Sequence, residues 1–301
     1  MDLDETEKVN NIWGKPRTAI DQKNHWLNHP VSSAHRNRRL SGDAEIDVLD
    51  YWAKKFFKPP LESVLSVGCG FGHFERQIAR RSYARHVLGI DISLDAVSKG
   101  NAISEEEGLA VTLVAGDLNA YGFGNEQYDA IFGIGSVHHI FHLEELFKNC
   151  RRILKPGGLL FLDEYIGPSR FQVSDVALDA MNAVLDILPD RLQLLLGIDP
   201  VMPRKRLYRM PMSWFDENDP SESVRSAEIV SVLKYHFDII DFRPYGGALS
   251  HLLFSGIAAN FDETNEDDVA IMKLILLLED QLEQHKVIGS DFAAIVARPK
   301  E

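Results

Sequence analysis

The sequence predicts an α/β protein: a mostly parallel sheet of seven strands with helices on both faces. A helical segment precedes it, and helical insertions surround the sixth strand. Three observations carry that prediction. Short, continuous apolar runs alternate with stretches of helical spacing, the pattern of strands buried on both faces of a parallel sheet. The first run, Val64–Val67, leads directly into glycines at 68, 70 and 72 and then into a helix. After five such units the alternation breaks into a polar, proline-bearing stretch, and two further apolar runs close the chain.

Taken in order, residues 1–58 form a mostly helical lead-in, or lid, carrying Trp13, Trp26 and Trp52 and closed by Pro59-Pro60. Residues 59–164 are the core. Val64–Val67 is its first strand, followed by a helix from Phe74 to Arg81. His86–Ile90 is a strand ending at Asp91, and Ser93–Glu107 has helical spacing. Val111–Val114 and Tyr128–Ile134 are the third and fourth strands, and Leu143–Leu154 is the next helix. Pro156-Gly157-Gly158 reads as a tight turn before the fifth strand, Leu159–Leu162. Residues 165–232 form a helical insertion, a substrate cap or an oligomer contact. Residues 233–301 complete the sheet with strands Phe237–Phe242 and Phe292–Ala297 around another helical stretch.

Composition narrows the function. A formal net charge of -13 argues against a general nucleic-acid or membrane-surface role, because phosphate groups are held mainly by Lys and Arg. The two cysteines, Cys69 and Cys150, imply no disulfide framework. The acidic start of the chain lacks the apolar core of a signal peptide, and no run approaches the ~18 apolar residues of a membrane span. A cytoplasmic protein is expected, with a small-molecule partner, no nucleic acid, no membrane and a homo-oligomer left open.

Gly68-Cys69-Gly70-Phe71-Gly72 sits where a nucleotide-like ligand lies in open α/β sheets. A dinucleotide fingerprint needs glycine at position 73, which is His73, and no Gly-Lys-Ser/Thr follows for a phosphate loop. Taken with Asp91, Asp117 in Ala115-Gly-Asp-Leu118 and Lys155-Pro-Gly-Gly158, the turn resembles the first motif of class I S-adenosylmethionine-dependent methyltransferases. The likeness covers about residues 60–165. It implies a Rossmann-like sheet closed by a hairpin-like pair of strands, and S-adenosylmethionine as cofactor. The cofactor would lie against Gly68, Cys69, Gly70, Gly72, Asp91, Ile92, Asp117, Leu118 and Gly135. In the family the turn receives the amino acid end, Asp91 the ribose hydroxyls and Asp117 the adenine amino group. One departure matters. The family often has an acid two positions before the first glycine, where this chain has Ser66. A hydroxyl cannot pair with the cofactor's ammonium, so that anchor must come from elsewhere. Glu75 is a candidate, although a place on the helix surface is the expectation.

Methyl transfer from a sulfonium is an in-line displacement, for which positioning can supply ~7–11 kcal/mol. A general base adds ~10²–10⁴-fold when a hydroxyl accepts the methyl. His138 and His139 follow the fourth strand, and Asp163-Glu164 ends the fifth. Only one of those acids can face a given histidine, because strand residues alternate faces. The pattern resembles the sugar and natural-product O-methyltransferases, which favours His138 with Glu164 as catalytic groups and His139 beside them. His251 is an alternative base. Arg36-Asn-Arg-Arg39 and Arg204–Arg209 read as solvated faces, His25 and His29 as residues able to close over the cofactor, and Leu274–Leu278 as buried core. No Cys-x-x-Cys or His-Glu-x-x-His spacing occurs, so no metal site is predicted.

The expected activity is methylation of a small molecule, at a hydroxyl of a sugar, a glycosylated natural product or a nucleotide-linked sugar. Nitrogen or carbon methylation, a nicotinamide oxidoreductase and a non-catalytic binding module are the alternatives.

Overall fold

The computed structural model describes residues 18–120 and 122–301, together with Lys8, Trp13 and Lys15. Residues 1–7, read above as lacking a signal peptide, lie outside the described residues. Seven strands form one sheet: β1 (Leu61–Val67), β2 (Ala84–Asp91), β3 (Val111–Ala115), β4 (Tyr128–Ile134), β5 (Leu154–Tyr165), β6 (Phe237–Gly246) and β7 (Phe292–Pro299). Their order is β3-β2-β1-β4-β5-β7-β6. β7 pairs antiparallel with β5 and with β6, and the remaining pairings are parallel. The strand order reverses between β1 and β4, the place where open α/β sheets leave a crevice at the carboxyl ends of their strands.

The helices follow from capping and apolar spacing. In the lead-in, Thr18 makes a reciprocal capping box with Asp21 at the start of α1 (Ala19–Asn24). His29 caps α2 (Pro30–Ser41), which ends on the left-handed Gly42. Asp47 caps α3 (Val48–Phe56). Between the strands lie α4 (His73–Arg80), α5 (Leu94–Glu106) and α6 (Leu143–Ile153). The segment after β5 carries α7 (Asp175–Ile187), a two-residue hairpin pairing Leu194–Leu195 with Met202–Pro203, and α8 (Met212–Asn218). α9 (Ile229–His236) precedes β6, and α10 (Ser250–Phe254) and α11 (Glu266–Gln284) lie between β6 and β7.

Successive strand residues sort into two cores. On one face Val64, Phe132 and Phe161 pack with Ile78 of α4 and Trp52 of α3. The Phe132 and Phe161 rings stack at 5.0 Å, and Trp52 meets Phe161 at 5.2 Å. On the other face Leu65, Ile131 and Leu160 pack with Phe147 of α6 and Leu233 of α9.

Several sequence expectations need correction. The lead-in is more than a lid, because α3 buries Trp52 completely beneath the sheet. α9 belongs to the layer covering the sheet, so the insertion ends before Ile229 and not at residue 232. Lys155-Pro-Gly-Gly158 lies inside β5, where β4 advances from Tyr128 to Ala130 while β5 advances from Leu154 to Leu159. The extra residues are taken up by a bulge with Gly157 at φ 83°. In Leu274–Leu278 only Ile275 and Leu276 are buried, and Leu274 is 63% exposed. Five consecutive residues span more than a helical turn and cannot all face inward.

Candidate active site

The glycine turn is stitched to the end of β2. The N–H groups of Gly68 and Cys69 donate to the Ile90 carbonyl at 2.8 and 3.1 Å, and Gly70 N–H donates to the Asp91 carboxylate at 2.7 Å. Gly68 and Gly70 have φ of 73° and 51°, which disfavours any residue with a Cβ. A Cβ on Gly68 would stand 2.3 Å from that of Ser136, whereas one on Gly70 would meet nothing within 4 Å. The turn therefore packs closely beneath and is open above Gly70.

Asp91 spends its other oxygen on the Ser93 N–H at 2.9 Å. Burial raises its pKa, opposed by those two N–H donors. Ile92 next to it is half-buried. Asp117 receives the N–H of Asn119 at 2.9 Å, and the Asn119 side chain in turn receives the N–H groups of Phe141 and His142. The ends of β3 and β4 are thereby tied together, with Leu118 buried below. Gly135, at φ 56°, is exposed and open above its backbone. The sequence-predicted cofactor residues thus fall on one rim. An open turn, two carboxylates at successive strand ends and one orphaned buried acid oxygen at Glu75 suit a ligand with a cationic amino acid end, a ribose and an adenine.

Glu164 and Asp163 point to opposite faces. Glu164 is fully buried, and one of its oxygens receives the N–H groups of Ser136 and Val137, each at 2.7 Å. The other lies 2.8 Å from His138 Nδ1. A carboxylate only accepts, so in the neutral ring Nδ1 carries the proton and Nε2 presents its lone pair. Nε2 looks toward the Glu222 carboxylate, 3.7 Å away. Burial lowers the His138 pKa, but the Glu164 bond and the charges of Glu164, Glu222 and Asp219 outweigh it and raise the pKa overall. His139, 4.2 Å away ring to ring, is pushed the other way by burial and by His138. Its Nδ1 lies 3.1 Å from the Ser221 hydroxyl.

The stretch 219–224 was missed by sequence reasoning. Arg170 holds it, donating to the carbonyls of Pro220 at 2.8 Å and Glu222 at 2.9 Å, while its own N–H donates to the Ser223 carbonyl at 2.9 Å. Val224 N–H returns to the His138 carbonyl. Arg170, Phe171 and Ser223 all have positive φ, of 56°, 50° and 48°. Such strain gathers where surrounding structure fixes a functional loop. Arg170 and Phe171 stand just beyond β5, a position that could have flagged them; nothing in the spacing marks Glu222. His138, His139 and Glu222 bring ligand-type atoms within 4.8 Å of one another, a proximity no spacing motif announced. Beside His138 the rings of Tyr165, Phe171, His251 and Phe292 pack with centroids 5.0–5.9 Å apart.

Other expectations change. His251 is held down to about 3 by burial, which makes it a poor proton acceptor. His29 caps α2 and faces the Phe261 carbonyl at 3.1 Å, so its role is structural. Trp26 is buried among Phe292 and His251. Arg36 is not on a solvated face. It pairs with Asp163, which also accepts from the Tyr245 hydroxyl at 2.7 Å, docking α2 onto the ends of β5 and β6. Arg39 pairs with Asp280 and Glu283 of α11 at 2.9 and 2.6 Å. Arg204 is spent on the carbonyls of Leu253 and Ser255. Glu75, expected on the helix surface, is 1% exposed.

A family model described as a methyltransferase domain matches residues 64–158. A sterol 24-C-methyltransferase of Gibberella zeae is 35% identical over 118 residues, 38% of this chain and 31% of that protein. Phosphoethanolamine N-methyltransferase 1 of Triticum aestivum is 29% identical over 135 residues, 43% of this chain and 27% of that protein. The chain spans less than a third of the length of either relative. Geranyl diphosphate C-methyltransferase from Streptomyces coelicolor shares the fold, with a TM-score of 0.57 at 12% identity over 99% of this chain and 98% of that one. These matches set aside the nicotinamide oxidoreductase. Residues 64–158 thus match a methyltransferase domain, and the seven-stranded sheet that carries them has the fold of the Streptomyces coelicolor enzyme.

Proposed function

We propose that the protein methylates a small-molecule acceptor, with a hydroxyl as the accepting group and His138 as its base. The observation that carries this reading is the 2.8 Å bond from His138 to the fully buried Glu164. It fixes the tautomer and orients Nε2 along the rim. Bound S-adenosylmethionine supplies an electrophilic methyl group on sulfur. The chain supplies the rest. Gly68–Gly72, Asp91 and Asp117 hold and orient the cofactor, and His138 Nε2 takes the hydroxyl proton as the oxygen attacks. The imidazolium so formed sits between Glu164 and Glu222, which stabilise its charge.

The rings of Tyr165, Phe171 and Phe292 beside His138 favour an acceptor with an apolar body. Of the acceptors considered, a glycosylated natural product suits that surface better than a bare or nucleotide-linked sugar. The segment after β5, which supplies Phe171 and Glu222, is read as the acceptor cap. Carbon methylation is the second reading, favoured by the same rings, since carbon that gains a methyl must also lose a proton to a base. The test is release of S-adenosylhomocysteine with a panel of apolar alcohols, glycosides and alkenes, and location of the new methyl by NMR. His138→Ala is expected to slow turnover by ~10²–10⁴ with cofactor affinity intact. An unchanged rate would remove histidine from the mechanism, and no turnover with any acceptor would favour a binding module.

A further inference from the structure

Ser66 leaves the ammonium end of the cofactor without an acid on β1, and the structure places one nearby on another element. Ser66 shares a face of β1 with Val64, the face on which α4 packs through Ile78. Glu75 stands in the first turn of α4 and is 1% exposed, against 2% for Ser66. Ser66 stands close enough to the Glu75 carboxylate to favour the charged form, so the two side chains are neighbours next to the glycine turn. Its Oε2 is enclosed and has no hydrogen-bond partner.

Among the described residues no cation forms an ion pair with this acid, although the charge of Arg76 favours its ionised form from a distance. The neighbouring Arg76 turns its guanidinium to the Phe71 carbonyl at 2.6 Å. The other groups facing Glu75 are Cys69 on the turn and Asp91 on β2, neither of them cationic. A buried carboxylate with an empty acceptor position and no ion pair is expensive to keep. A ligand cation at the turn would repair both faults.

We propose that Glu75 is the carboxylate that receives the α-ammonium group of S-adenosylmethionine, taking over from an acid at position 66. The assignment rests on the cofactor reading above and deepens it: the anchor has moved from the strand to the helix that follows it. Charge-assisted bonds of this kind are the stronger class. Burial raises the acid to about 7, so ammonium binding near neutral pH drives out its proton. Cofactor affinity then climbs as pH rises through that region.

The test uses isothermal titration of the intact protein with two ligands: S-adenosylhomocysteine and its deamino analogue, in which hydrogen replaces the α-amino group. The parent protein is expected to prefer the amino-bearing ligand by at least ~10-fold, the scale of a charged hydrogen bond. Glu75→Gln should abolish that preference by weakening S-adenosylhomocysteine alone. Adding Ser66→Asp to Glu75→Gln should restore the preference, which a misfolded variant could not do. If Glu75→Gln weakens both ligands equally, or neither, Glu75 only supports the turn and the proposal falls. If the parent protein binds neither ligand, the cofactor reading itself fails first.

Discussion

His138 joins two carboxylates that reach it from different parts of the chain, and its pH behaviour follows from them. Glu164 and Glu222 raise its pKa, so the neutral, proton-accepting form prevails only above a value higher than that of free histidine. Activity should rise with pH along a limb displaced above 6.5, measured as kcat against pH. Glu164→Gln should lower kcat and move that limb down. Glu75 bears on stability in the opposite sense to an ordinary carboxylate. Its folded pKa of about 7 exceeds the ordinary value of about 4.3, so the folded state holds the proton more tightly. Stability is therefore lost as pH rises from about 4 to about 7. Without ligand, Glu75→Gln should be more stable than the parent by up to ~3 kcal/mol at pH 8 and no more stable at pH 4, read by urea unfolding. At this scale the sequence was legible where chain geometry is strict. Strand alternation alone separates Asp163 from Glu164, and the structure sends one to Arg36 and the other to His138. Glu222 was illegible because its place depends on a loop returning from far along the chain. The burial of Glu75 depends on which face of α4 meets β1.

Among the elements, the glycine turn and the Arg170 clamp are where the proposed function is tested, and α3 is where stability is. Gly70→Val should abolish S-adenosylhomocysteine binding with the sheet still folded, because a branched side chain at φ 51° is strained and fills the open space above the turn. Titration together with circular dichroism checks both halves. Arg170→Ala frees the Glu222 carbonyl and its loop. It should lower kcat by up to ~100-fold and move the pH limb of His138 down, with cofactor affinity unchanged. Trp52→Ala should cost ~3–5 kcal/mol, since the ring is wholly enclosed under the sheet. Strands were readable as apolar runs because both faces of this sheet are covered. Helix faces were less so: the Leu274–Leu278 run says nothing about which of its residues turn outward. Lys155-Pro-Gly-Gly158 has the composition of a turn, yet pairing with β4 draws it into β5 as a bulge.

On the scale of the whole molecule, the sheet gathers its chemistry at one rim, where β1, β2, β3, β4 and β5 end. The lead-in docks there through Arg36, and the segment after β5 folds back there through Arg170. The fold and cofactor class were legible because the glycine turn, Asp91, Asp117 and the Lys-Pro-Gly-Gly segment recur in order along a regular scaffold. The acceptor was not, because its surroundings come from segments without a repeating pattern. The most direct test of the account is a crystal structure of the protein with S-adenosylhomocysteine bound. The account predicts the homocysteine end against Gly68–Gly72, the ribose hydroxyls on Asp91, and the sulfur facing the space next to His138 Nε2. Adenosine seated elsewhere, with Asp91 still holding only Gly70 and Ser93, would contradict it.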